Sequence, residues 1–236
     1  MVDIYNRAGI FGRFQSPGSS PGVFQLFKHH IHLAESLVIQ NSNSSIVISR
    51  FDILRTQMRD FSDRESEPIT LPYAGPTSGA PEGWFPTPVS ICRNTTVSAT
   101  LFHGILPGEP ACLTTMWTIL GQPALSIAVP LWAVGEMPPE MNGPATAPLC
   151  DEANRLRAVY FGEGRQRGHI NTRALKDGRG GGLWSVTFAA EDSIFAATDL
   201  LLEGFRRGTI SRSEMLEKEY AMAHYAWTTL KGWQPD

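Results

Sequence analysis

The chain holds three cysteines and six histidines among its 236 residues. The most suggestive cluster is Ile91-Cys92-Arg93-Asn94-Thr95-Thr96, which runs into Val97-Ser98-Ala99. A thiol, a guanidinium and two hydroxyls stand here where a polar loop becomes a strand. Such junctions often carry site residues, because the sheet fixes them while the loop leaves them accessible. The plainer alternative is an ordinary amphipathic strand whose Arg93 is solvated.

Other groupings carry less. His29 and His32 share a helical face with Glu35, with His30 beside them, which allows a metal ligand set in principle. The His-Glu-x-x-His order is absent and no distant cluster completes the set, so they read as a polar face opposite Phe24, Phe27 and Ile31 and not as metal ligands. Gly18-Ser19-Ser20-Pro21-Gly22 fits the pattern of a nucleophile elbow, but Gln15-Ser16-Pro17 before it is no strand, so it reads as a flexible turn. The run Gly178-Arg179-Gly180-Gly181-Gly182 lacks the Gly-Lys-Ser/Thr of a phosphate loop and leads into a predicted strand, so it reads as a hairpin entry. Asn43-Ser44-Ser45 and Asn94-Thr95-Thr96 are glycosylation sequons that matter only in a secreted protein. Cys92, Cys112 and Cys150 cannot all pair and show no Cys-x-x-Cys spacing, which excludes a disulfide scaffold and a cysteine zinc site.

The elements that would position these groups follow from periodicity. Phe24, Phe27, Ile31, Ala34, Leu37 and Val38 recur at helical spacing, as do Phe51, Leu54, Met58 and Phe61, so residues 1–62 read as a helical N-terminal segment. Pro68, Pro72, Pro76, Pro81, Pro86 and Pro88 then make 63–90 an irregular Pro/Gly-rich connection. From 91 the period falls to two. Strands are predicted over 97–101, 113–120, 125–129 and 183–188, the first three joined as a meander. Helices are predicted over 151–161, 191–207 and 211–231, the last opened by a Ser211/Glu214 capping box. Helices, then strands, then helices indicate an α+β fold with an antiparallel sheet and flanking helices over 91–236.

Twenty Lys and Arg against 23 Asp and Glu give a net charge of −3 and a pI near 6.1. That balance excludes general nucleic-acid binding. No apolar run approaches the ~20 residues that span a bilayer, and the N-terminus has no signal-peptide pattern. No membrane partner is expected, and the location is cytoplasmic by default.

The order Arg93-x-Thr95-x-x-x-Ala99, Leu113-Thr114-Thr115-Met116-Trp117, Leu120-Gly121-x-Pro123 and Ser126-x-Ala128-Val129-Pro130-Leu131-Trp132 resembles the later part of the acyl-CoA:6-aminopenicillanate acyltransferase-like family. That family is also described as C45 peptidases or isopenicillin-N acyltransferase-like proteins. Pro148-Leu149-Cys150-Asp151, Ile170-Asn171-Thr172, Gly181-Gly182-Leu183 and Glu191-Asp192-x-Ile194-Phe195 are similar as well. The resemblance covers residues 91–231; upstream only Arg59-Asp60 and Leu71-Pro72-Tyr73 match. It implies a four-layer αββα N-terminal-nucleophile hydrolase that cleaves or transfers linear amide acyl groups on a small-molecule substrate. In that chemistry an N-terminal cysteine supplies both thiolate and base, since an α-amine titrates near pH 8, so the resemblance implies that no metal and no dissociable cofactor is needed. The family's nucleophile precedes the matched motifs, and residues 1–90 hold no cysteine. The resemblance therefore implies the C-terminal part of such an enzyme, with an N-terminal half or subunit as partner. It carries over one catalytic residue, Arg93, and no substrate-binding residues. Two alternatives stay open. Cleavage before Cys92 would make it the N-terminal nucleophile, or the chain is a non-catalytic binding module without a nucleophile.

Overall fold

A computed structural model of the chain describes residues 49–61, 70–75, 81–88, 90, 92–163 and 168–235. The helix expected over 24–38, the histidine cluster on it, the Gly18–Gly22 turn and the Asn43 sequon lie outside the described residues.

The described chain opens with a helical turn, Asp52–Gln57, whose hydrogen bonding is of the wide π type. Ser49 and Asp52 bond reciprocally at its start: Asp52 accepts from the Ser49 amide at 2.8 Å, and Ser49 Oγ accepts from the Asp52 amide at 3.3 Å. Strand β1 (Trp84–Pro86) pairs antiparallel with β5 (His169–Asn171). Strands β2 (Ser98–His103), β3 (Thr115–Leu120) and β4 (Val129–Leu131) form an antiparallel sheet in sequence order. Among the described residues, helices α1 (Pro148–Tyr160), α2 (Thr172–Leu175), α3 (Leu183–Arg206) and α4 (Arg212–Gly232) follow. The mixture of helix and antiparallel sheet, and the β2–β3–β4 meander, are as the sequence predicts.

The register sets which side chains share a face. Leu101 lies opposite Trp117, and Trp117 opposite Pro130; on the other face Phe102 lies opposite Met116, and Met116 opposite Leu131. Helix α3 reaches the Trp117 face, where the ring of Phe195 meets Trp117 edge-on at 4.8 Å. Helix α1 packs against the turn after β3. Gly121 there has φ +79°, and a Cβ on it would lie 2.4 Å from the Cβ of Ala153, so the helix sits where only glycine leaves room. Helices α3 and α4 are joined by a short turn at Gly208 (φ +72°) and pack side by side. Trp117, Ile119, Leu125, Ile127, Leu149, Leu156, Ile170 and Leu175 are fully buried and define the core.

Four expectations change. Residues 183–188 are not a strand but the first turns of α3, which runs unbroken for 24 residues. Leu183, Thr187, Ala190, Glu191 and Ile194 are its buried positions, a spacing of three and four. A six-residue alternation is short enough to fit a helix that the following turns extend cooperatively. Residues 123–125 are a 3₁₀ turn capped by the Gln122 side chain, and β4 begins only at Val129. Two backbone groups that a strand at 125–128 would pair, the Ser126 carbonyl and the Ala128 amide, are taken by side chains instead. The proline-rich connection contains β1, with Pro86 in its two-stranded sheet, an edge position that tolerates a missing amide. The glycine run introduces a helix instead of a hairpin: Gly182, at φ +91°, is the N-cap of α3. Its loop is closed by a resident anion, since Asp177 Oδ1 accepts the amides of Arg179 (2.8 Å) and Gly181 (2.7 Å). Those bonds hold the Asp177 carboxyl below its usual range. The Ser211/Glu214 capping box is present in full.

Candidate functional site

Cys92 and Arg93 sit side by side ahead of β2 in different surroundings. The Cys92 side chain is fully buried, its Sγ donates to the Met58 carbonyl at 2.8 Å, and its own carbonyl accepts from Gln122 Nε2 at 2.9 Å. Burial pushes the thiol up to about 12, against a smaller opposing pull from Arg59. A thiol in that state is not a nucleophile at neutral pH. Arg93 is half-buried, and its guanidinium makes no hydrogen bond or ion pair among the described residues. Cys112 and Cys150 are free and half-buried, far from Cys92 in the chain and on different elements.

Beside Cys92 lies a buried ionic network. Arg59, 1% exposed, donates from Nε to Pro123 O (2.8 Å), from Nη1 to Leu54 O (3.2 Å) and from Nη2 to Ser126 O (2.9 Å). Both Nη1 (3.1 Å) and Nη2 (2.5 Å) also meet the carboxylate of Glu191, which is itself fully buried on α3. Glu191 further accepts the Ala128 amide at 2.8 Å and Arg55 Nε at 3.1 Å. Here are the partners that replace a strand over 125–128: Pro123 and Ser126 give their carbonyls to a guanidinium, and Ala128 gives its amide to a carboxylate. The fork geometry lets one arginine satisfy three carbonyls and one carboxylate at once. The network ties residues 54–59 to the 122–128 loop and to α3. Residues 49–61 thereby belong to the same compact unit as the sheet.

A second grouping faces a cavity. Between the end of β2, the 111–116 turn and strand, and the 131–137 segment lies a pocket of about 380 Å³ lined by Phe102, Met116, Leu131, Trp132 and Met137, with Glu219 of α4 at its wall. Glu219 is 2% exposed and accepts the Trp132 amide on Oε2 at 3.0 Å. The Trp132 indole is fixed by donating to Thr115 Oγ1 at 2.8 Å. Burial raises the Glu219 carboxyl to about 7, and the single amide bond only partly offsets that.

The sequence placed Arg93 and Cys92 side by side, but the structure joins neither to the groups that converge. Arg59, Glu191 and Glu219 were missed. Their signal was legible: Glu191 falls four residues from both buried Thr187 and buried Phe195, and Glu219 lies between Met215 and Met222 on the buried stripe of α4. A carboxylate inside an apolar helical stripe is rarely left unpaired.

Among the described residues no group of three or more His, Cys, Asp or Glu is arranged to hold a metal ion, and no helix is long and apolar enough to cross a membrane. Comparison with protein-family models, with curated protein sequences and with solved structures returned no match.

Proposed function

We propose that this chain is the C-terminal part of a linear-amide hydrolase or acyltransferase of the isopenicillin-N acyltransferase-like, N-terminal-nucleophile type, with αββα layering. It acts on small N-acyl amides through a cysteine that residues 1–90 do not contain. One observation carries this reading. Segments that bear the sequence resemblance, though separated by up to 132 residues, meet around the Arg59–Glu191 pair. Arg59, Pro123 two residues after Gly121, Ser126, Ala128 and Glu191 all contribute atoms to that single network. In this reading the network is scaffold, and Arg93 is the group presented to substrate.

The purified chain and the full-locus product, each assayed against chromogenic N-acyl amides and penicillin-type substrates, test it. The expected result is no turnover by the chain and iodoacetamide-sensitive turnover by a longer product carrying a cysteine-led strand. An inactive full-locus product that encodes no such cysteine overturns it.

A non-catalytic binding module is the second reading, favoured by the sealed Cys92 thiol together with the formed pocket over Glu219. It expects one cooperative thermal transition from a monomer. Self-processing before Cys92 draws no support from the geometry, because that thiol is bonded inward to Met58 and closed to solvent.

A further inference from the structure

We infer that the pocket over Glu219 binds a small apolar amine, taking the ammonium against the Glu219 carboxylate and the apolar body between Phe102, Met116, Leu131 and Met137. This does not rest on the amide-hydrolase reading. It holds for a catalytic part and for a binding module alike.

Four observations on geometry support it. Among the described residues, Glu219 is the only ionisable side chain lining the pocket, and the hydroxyl of Thr114 is the only other polar side-chain group there besides the Trp132 indole, which is already bonded to Thr115. The carboxylate uses Oε2 for the Trp132 amide, and Oε1 makes no hydrogen bond among the described residues. A carboxylate with an uncommitted oxygen at the wall of an apolar cavity offers a strong site for a charged donor and a poor one for an acceptor. The rim is also suited to admit an apolar body: Phe102 is 67% and Met137 47% exposed, large side chains with no described covering. About 380 Å³ lies at the small end of ligand pockets, so the ligand is of alkylamine or arylalkylamine size. Methionine and aromatic walls accommodate such chains.

Charged groups on the surrounding elements are committed elsewhere. Arg212 of α4 donates to the Ala133 and Val134 carbonyls, and His224 of α4 pairs with Glu140. Glu109 pairs with Arg206. His103 lies on the opposite face of β2 from Phe102, Glu136 is exposed, and on α4 Lys218 and Tyr220 neighbour Glu219 in sequence without lining the pocket. The carboxylate form that an amine requires therefore rises as pH passes the Glu219 midpoint, while an aliphatic amine stays protonated throughout.

Titration calorimetry with n-hexylamine, phenethylamine, n-hexanol and hexanoic acid at pH 5.5 and 8.5, together with amide and indole shifts of Trp132, tests the inference. Both amines are expected to bind at least tenfold tighter at pH 8.5 than at 5.5, to bind at least tenfold tighter than hexanol at pH 8.5, and to move the Trp132 amide signal. Glu219→Gln is expected to remove the pH dependence and the amine preference. If that variant fails to fold, the wild-type pH profile and the Trp132 shifts decide alone. Equal binding of amine and alcohol, preference for hexanoic acid at low pH, or no binding of either amine at 10 mM overturns it.

Discussion

Glu191 is the residue on which the packing of the described unit turns, and Glu191→Gln tests that directly. The substitution keeps the shape and leaves an acceptor for the Ala128 amide, but removes the counter-charge of a guanidinium that is 1% exposed. Breaking a buried pair by neutralising one partner costs about 3–5 kcal/mol, because the other charge is left uncompensated. Against a domain stability of about 5–15 kcal/mol that is a large fraction. At about 2–4 °C per kcal/mol for a unit of this size, the melting temperature should fall by about 6–20 °C. Arg59→Met is costly for a different reason. Glu191 keeps Arg55 at 3.1 Å, but the Leu54, Pro123 and Ser126 carbonyls lose their donor, at about 1–3 kcal/mol for each that stays buried and unpaired. The double variant carries no stranded charge, so its loss should be smaller than the sum of the single losses by about 2–3 kcal/mol. Urea unfolding followed by tryptophan fluorescence reads all three, since the Trp184 indole donates to Ala124 O within the same loop. Additive losses, or a Glu191→Gln loss under about 1 kcal/mol, would refute the coupling.

Glu219 gives a pH prediction. Its folded-state midpoint, about 7, lies above the unfolded carboxylate's, so the folded state holds the proton more tightly. The stability it contributes is complete at low pH and is lost as pH rises toward and through 7. Glu219→Gln should therefore match the wild type at pH 4.5 and exceed it by about 2–3 kcal/mol at pH 8, read from urea midpoints; a constant difference across that range would count against the burial cause. Gly121→Ala should cost about 3 kcal/mol, from positive φ and from overlap with Ala153, and a melting temperature within 2 °C of wild type would contradict the described α1 contact. Maleimide labelling of the native protein should modify Cys112 and Cys150 while sparing Cys92 until denaturant is added, and intact mass should give one species at 26.0 kDa; a fragment beginning at Cys92 would establish processing instead. Arg93→Ala should change stability by less than about 0.5 kcal/mol, as its guanidinium has no partner among the described residues; a larger loss in a thermal melt would reveal a structural role.

Local signals carried much of the secondary structure. The β2–β3–β4 meander, the helix near 151–160 and the Ser211/Glu214 cap depend on short-range alternation, turn residues and one side-chain pair three residues apart. The alternation at 183–188 was misleading for the same reason: six residues fit either period, and the choice fell to a helix whose stripe continues into Ile194 and Phe195. The 125–128 segment was beyond local reading altogether. Its Ser126 carbonyl and Ala128 amide are satisfied by Arg59 and Glu191, which lie 67 and 63 residues away.

The sequence by itself therefore determined the mixture of helix and antiparallel sheet, the order of the β2–β3–β4 meander and the near-neutral charge, because each follows from neighbours or from simple sums. Only the tertiary structure decided that Cys92 is sealed while Arg93 beside it stays half-exposed, and that Glu191 and Glu219 have opposite circumstances. Both glutamates stand in apolar helical stripes. Glu191 meets a guanidinium from a distant segment, whereas Glu219 meets one amide and an open cavity. Burial, charge pairing and free volume arise where distant segments meet, and no spacing along the chain encodes which partner will arrive.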